Sequence, residues 1–178
     1  MFLDRDGVLV ETDVRDGAAY AVTTLAEFRV APDAAAQVAR LHAAGLLCIV
    51  FTNQPEVARR TIAPEVIAAM HDTLRDAVPV DDVYVCPHDD ADGCACRKPR
   101  PGMLQEAAAR WDVSLADSFV IGDRWRDVDA GRAAGCYTVL LEREYSGSDT
   151  ADARVATLAE AVDAVLARLE AVGSAPPR

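Results

Sequence analysis

Four short apolar runs, spaced far enough apart for a helix to fill each gap, are each broken at the carboxyl end by a polar or reactive residue. Phe2-Leu3 stops at Asp4, Leu46 to Phe51 at Thr52, Val83-Tyr84-Val85 at Cys86, and Ser118 to Ile121 at Gly122-Asp123. A fifth run, Cys136 to Leu141, closes the series. Leu46 to Phe51 runs without alternating apolar and polar residues, which is how a strand covered on both faces reads. Helical spacing fills the gaps. Pro32-Asp33 starts a helix to about Ala44, and Pro64 to Ala77 carries Val66, Ile67, Met70 and Leu74 on one stripe. Pro99 to Gly102 leads into a helix ending near Trp111, Trp125 to Ala134 is stopped by Gly135, and a last helix runs from Ala156 to Val172. The expected fold is α/β: a single doubly wound parallel sheet of about five strands, with helices on both faces. Residues 1–172 form one expected domain and 173–178 a disordered tail. Thr12 to Val30 reads as a loop or small hairpin, and Glu142 to Ala151 as an exposed loop.

Charge and composition exclude several classes. A net charge of −11 leaves no surplus of cations to release counterions from a phosphate backbone, so no nucleic-acid partner is expected. No apolar run approaches the length of a membrane span, and no signal segment precedes the first strand. No membrane partner, a cytoplasmic location and a monomer are the expectations. Among the 18 Lys and Arg residues only Lys98 is lysine, which points to a place where a compact ammonium is wanted instead of a planar fork. Cys48 and Cys136 sit singly in apolar runs and read as core. Cys86, His88, Cys94 and Cys96 cluster, and in a cytosolic chain such a cluster points to metal. His42 and His71 read as solvated positions on helix surfaces.

In a parallel sheet, ligands bind beyond the carboxyl ends of the strands. Asp4 and Asp6, Thr52, Lys98 and Asp123 all fall at that edge. Asp-x-Asp-Gly alone also fits a solvated turn or a calcium loop, but the constellation suits phosphoryl transfer through a carboxylate nucleophile. Asp4 and Asp123 can share a magnesium ion, Lys98 can neutralise the transferring group, and Thr52 can donate to one of its oxygens. Asp6 can carry the proton to and from the leaving group. Asp4-Arg5-Asp6-Gly7, Thr52-Asn53-Gln54, Arg97-Lys98-Pro99 and Gly122-Asp123-x-x-x-Asp127 resemble the four ordered motifs of the haloacid dehalogenase superfamily of phosphatases. The resemblance implies a Mg2+-dependent phosphohydrolase with Asp4 as nucleophile and Asp6 as acid/base. It also implies a metal site completed by the Asp6 carbonyl and Asp123, and Asp127 as a supporting acid. A receiver-like module phosphorylated as a signal shares the fold, metal and lysine, but carries no proton carrier two residues after its acceptor and no zinc loop.

Three thiolates and one imidazole, from Cys86, His88, Cys94 and Cys96, are the ligand set of a closed, structural Zn2+ site. Such a site would staple the loop that presents Arg97 and Lys98. Cys-Pro-His followed by Cys-x-Cys-Arg-Lys-Pro-x-Pro-Gly-Met resembles the D-glycero-D-manno-heptose 1,7-bisphosphate 7-phosphatases, with the histidinol-phosphate phosphatases a closely similar group. That likeness implies a small-molecule sugar phosphate as substrate, bound by Asn53, Gln54 and Arg97. Val10 and Pro55-Glu56 depart from the family pattern at positions expected near the leaving group. No large cap domain fits between Gly7 and Ala31 or between Cys86 and Lys98. An open site bordered by loops is expected, with Arg59, Arg60 and Arg124 or Arg126 at its rim.

Overall fold

A computed structural model describes residues 1–147 and 150–173; the expected tail lies, from residue 174 onward, outside the described residues. The strands are β1 (Phe2–Leu3), β2 (Asp13–Arg15), β3 (Ala18–Tyr20), β4 (Ile49–Asn53), β5 (Asp82–Cys86), β6 (Phe119–Gly122), β7 (Tyr137–Leu141) and β8 (Ala153–Val155). The helices are α1 (Ala34–Ala43), α2 (Pro64–Ala77), α3 (Gly102–Trp111), α4 (Trp125–Ala134) and α5 (Leu158–Gly173). Six strands form one sheet in the order β5-β4-β1-β6-β7-β8, every pair parallel, while β2 and β3 make a separate antiparallel hairpin.

The sheet has six strands where about five were expected. The addition is β8, which pairs with β7 at the edge; its three residues, Ala153-Arg154-Val155, carry too little apolar character to stand out from a loop. The second strand also begins later than its apolar run, at Ile49, because Leu46 to Cys48 form an irregular connection after the turn that ends α1.

Successive side chains of a strand point to opposite faces, and here both faces are packed. Leu3, Val50, Ile121 and Val139 meet Val38 and Leu41 of α1, Met70 and Leu74 of α2, and Val162 and Val165 of α5. Their neighbours in sequence, Phe2, Ile49, Phe51 and Val120, meet Met103, Leu104 and Ala107 of α3 and Ala130 of α4. With no face left to solvent, the central strands have no polar positions until they end. In β1, β4 and β6 the polar residues therefore stand at the carboxyl ends, which face one edge. Cys48 and Cys136 are buried in these clusters. Among the described residues no helix is long and apolar enough to cross a membrane.

Candidate active site

The carboxyl ends of β1, β4 and β6 bring the acidic and hydroxyl residues together. Asp4 follows β1, and its backbone N–H donates to the Ile121 carbonyl of β6 at 2.9 Å. Carboxylate oxygens of Asp4, Asp123 and Asp127 gather within 4.8 Å of one another. Lys98, in the turn before α3, enters this cluster and is only 3% exposed. Its Nζ donates to Asp4 Oδ1 at 2.8 Å and to the Phe51 carbonyl at 3.1 Å, and pairs with Asp127 Oδ1 at 2.5 Å. Asn53 grips the Lys98 backbone from both sides, donating to its carbonyl (3.2 Å) and accepting from its N–H (3.1 Å). The Arg5 N–H also donates to Asp4 Oδ1, at 2.8 Å, so both contacts that fix this carboxylate use one oxygen.

Three buried acids around one ammonium leave an excess of negative charge. Burial, and after it the neighbouring Asp127, pushes Asp4 well above the usual carboxylate range against the opposing pull of Lys98. Asp123 is pushed up to about 7 by burial and by Asp127, with the Tyr145 hydroxyl opposing. Tyr145 donates to Asp123 Oδ2 at 2.8 Å, while Asp123 Oδ1 is buried without any partner. An orphaned buried oxygen beside a second carboxylate fits a hard divalent cation. Asp127 sits in the first turn of α4, where its Oδ2 accepts the Arg124 N–H at 2.9 Å; it is a helix cap and the partner of Lys98 at once.

Asp6 lies in different surroundings. Arg5 Nε and Nη2 form a fork on its carboxylate at 3.1 and 2.9 Å, and Gln54 Nε2 adds a bond at 2.8 Å. Burial works to raise Asp6, but the Arg5 charge and these hydrogen bonds outweigh it and hold the group below its ordinary value. Gln54 also donates to Thr52 Oγ1 at 2.9 Å, which leaves the Thr52 hydrogen free to donate elsewhere. The hydrogen bonds of Asn53 and Gln54 thus run to Lys98, Thr52 and Asp6, although both residues line the cavity.

The cysteine loop closes on itself. Cys96 Sγ lies 3.1 Å from Cys86 Sγ and 3.4 Å from Cys94 Sγ, and His88 Nδ1 lies 3.3 Å from Cys96 Sγ and 3.7 Å from Cys86 Sγ. Ligand atoms of a tetrahedral site with Zn–S of about 2.3 Å stand roughly 3.7 Å apart; the donor set fits zinc in kind, and the four ligand atoms already converge to that spacing or closer. The same loop holds Arg97, which donates to Asp90 Oδ1 at 2.7 Å and to the His88 carbonyl at 3.2 Å.

A cavity of about 430 Å³ opens over these groups, lined by Asp4, Asp6, Thr52, Arg97, Lys98 and Asp127 among others. Pro55, Glu56, Arg59, Arg124 and Arg126 border it as well; Arg60 does not. Val10 was expected near the leaving group, but it is buried in the core, and its carbonyl accepts the Gly7 N–H at 2.8 Å. It props the Asp4–Gly7 loop from beneath.

Three residues of the site escaped sequence reasoning. Arg5 is fully buried, and His71, expected on a helix surface, is 5% exposed and 3.0 Å from Arg5 Nη1. Tyr145 lies in a stretch expected to be an exposed loop, yet Ser146 is buried and its carbonyl accepts the Trp125 N–H at 2.7 Å. An aromatic residue alone in a polar loop was the one available signal for Tyr145.

A HAD-hydrolase-like family model matches residues 95–172. The D-glycero-beta-D-manno-heptose-1,7-bisphosphate 7-phosphatase of Rhodopseudomonas palustris is 40% identical over 155 residues, covering 80% of this chain and 83% of that protein. This chain belongs to the haloacid dehalogenase-like hydrolases. The enzyme of the same name from Bordetella bronchiseptica is 37% identical over 147 residues, with 80% and 79% coverage. The haloacid dehalogenase-like fold extends well beyond the residues of the family match. The crystal structure of the D,D-heptose 1,7-bisphosphate phosphatase from B. bronchiseptica, complexed with magnesium and phosphate, aligns with a TM-score of 0.82 at 32% identity, covering 94% of this chain and 98% of that one.

Proposed function

We propose that the chain is a phosphatase that removes the 7-phosphate of D-glycero-D-manno-heptose 1,7-bisphosphate through an aspartyl-phosphate intermediate. The observation that carries the reaction class is the burial of the sole lysine between Asp4 and Asp127, beside an Asp123 oxygen with no protein partner. The substrate rests on the curated relatives named above.

Asp4, Asp123 and the Asp6 carbonyl would hold Mg2+, which when bound offsets the charge of the phosphoryl oxygens. The carboxylate of Asp4 attacks phosphorus, the bond from phosphorus to the sugar oxygen breaks, and Asp6, which takes up a proton from solvent before the attack, delivers that proton to the sugar oxygen. Water then attacks the phosphorus of the aspartyl phosphate and gives its proton to Asp6. The bond to Asp4 breaks, and inorganic phosphate leaves. Lys98 meets the phosphoryl charge, and the free hydrogen of Thr52 points to a phosphoryl oxygen. Asn53 acts by fixing Lys98, and Gln54 by fixing Asp6 and Thr52. Asp127 orients Lys98. Arg97, presented by a Zn2+ site of Cys86, His88, Cys94 and Cys96, meets the distal part of the sugar phosphate.

Phosphate release from heptose bisphosphate and from histidinol phosphate, with magnesium present, tests the assignment. A kcat/KM much higher for heptose bisphosphate is expected; the reverse order overturns the substrate.

A further inference from the structure

Asp6, the proton carrier of the proposed reaction, is held by a residue that is itself held. Arg5 points inward from the Asp4–Gly7 loop and is fully buried, with its guanidinium carbon 5.6 Å from the Phe28 ring centroid. A buried guanidinium needs partners for its donors, or desolvation costs more than its charge returns. One edge of the fork, Nε and Nη2, meets the Asp6 carboxylate, while Nη1 reaches His71 Nε2 at 3.0 Å.

The chemistry of this contact has one solution. Arginine only donates, so His71 Nε2 is the acceptor and the ring is neutral with its proton on Nδ1. Burial, with the Arg5 charge next, pushes His71 down to about 4, which agrees with that assignment. His71 lies on α2, the helix that follows β4, so the contact ties the first motif to α2.

We propose that His71 is a positioning residue for the proton carrier: by accepting from Arg5 Nη1 it fixes the guanidinium plane, and through it the direction of the Asp6 carboxylate. A carboxylate offers about four lone-pair sites. Two on Oδ2 are taken by Arg5 Nη2 and Gln54 Nε2, and one on Oδ1 by Arg5 Nε. One site on Oδ1 is left to exchange a proton with the leaving oxygen or the incoming water. Asp6 is 19% exposed at its side chain and lines the cavity, so that exchange is open to substrate. A guanidinium free to tilt would redistribute these three bonds and move the open site.

The role rests on the phosphatase reading and is separable from it by the choice of leaving group. The value of kcat/KM reports steps up to phosphoryl transfer to Asp4. A sugar alkoxide needs a proton in that step, whereas p-nitrophenolate leaves as a stable anion. His71→Met removes the acceptor, and His71→Gln keeps one at similar reach. With His71→Met, kcat/KM for heptose bisphosphate is expected to fall about tenfold more than for p-nitrophenyl phosphate. His71→Gln should restore the ratio of the two substrates to within about twofold of the wild type. The ratio is taken on one preparation, so a smaller folded fraction cancels. Equal losses on the two substrates, no loss with His71→Met, or a gain on heptose bisphosphate overturns the positioning role. Absence of phosphate release by the wild type from both substrates overturns the phosphatase reading and this role with it.

Discussion

Lys98 Nζ donates to Asp4 Oδ1 at 2.8 Å, so the single lysine of the chain is held at rest against the acid expected to attack phosphorus. The contact both lowers the cost of ionising a buried nucleophile and places the cation where phosphoryl charge will arrive. Lys98→Ala should reduce kcat by about 10²- to 10³-fold, the range seen when one preorganised charge donor is removed. Lys98→Arg should not rescue it, because a planar fork cannot fit between Asp4, Asp127 and the Phe51 carbonyl as a point donor does. Steady-state phosphate release by the two variants checks this; recovery of most activity with arginine counts against the geometry.

Asp4→Asn removes the proposed nucleophile while keeping the shape of the site. Turnover should fall to background, and no hydroxylamine-labile phosphoprotein should form after brief mixing with substrate. Most of the activity surviving would assign the attack to another group.

Gly7 links the two halves of the proposed metal site. Its φ is +83°, a region costly for other residues, and an added Cβ would land on Asp123 Oδ2. Gly7→Ala should therefore displace Asp123 from both Tyr145 and the cation. Magnesium affinity measured by isothermal titration calorimetry should weaken by about tenfold or more, and unchanged affinity would show that the Asp123 side chain is free to move.

The strand ends could be read from sequence because both sheet faces are packed: when every interior position is apolar, a polar residue marks where the strand stops. That is why Asp4, Thr52 and Asp123 could be assigned to one edge before any geometry was known, with Lys98 added as the start of the helix after the third strand. Arg5 and His71 were illegible for the opposite reason. An arginine between two aspartates reads as a solvated turn, and a histidine followed by Asp72 and close to Arg75 reads as a helix surface. Only the tertiary contact between them, across 66 positions, makes each one a reason to bury the other. Asp90 is similar: nothing local marks it as the partner of Arg97. The edge strand β8 was missed because its pairing with β7 supplies what its three residues lack in apolar character.

The cysteine loop should hold one zinc ion per chain, measured by elemental analysis. Metal binding at thiols releases protons, and burial, with the neighbouring Cys96 adding, pushes the Cys86 thiol up. Affinity should therefore weaken as pH falls. Cys94→Ser should lose the metal, lower the Tm and free Arg97 from its Asp90 and His88 contacts. KM for the sugar phosphate should then rise more than kcat falls, since the role proposed for Arg97 is in binding and Lys98 is held independently by Asn53. A larger fall in kcat than rise in KM would show that the loop also supports Lys98.

The Arg5–His71 contact also sets a pH dependence of stability. In the unfolded chain His71 takes up a proton near its ordinary value of 6.5, whereas in the fold burial and the Arg5 charge push it down to about 4. Between these values the unfolded state binds more protons than the folded state, so stability rises with pH and is lost as pH falls through that window. The full shift corresponds to roughly 3 kcal/mol, reached only near the lower end. His71→Gln keeps an acceptor for Arg5 but cannot be protonated, so the variant lacks this acid-side loss. The other buried acids titrate in both proteins, and comparing the two at each pH removes most of their contribution. Urea unfolding from about pH 7 to about pH 4.5 should show the variant less stable than, or equal to, the wild type at neutral pH, with the difference moving in the variant's favour as acid is added. A difference that stays constant across the range would mean that His71 takes up its proton equally in the folded and unfolded chains, and that the Arg5 contact does not hold the ring neutral.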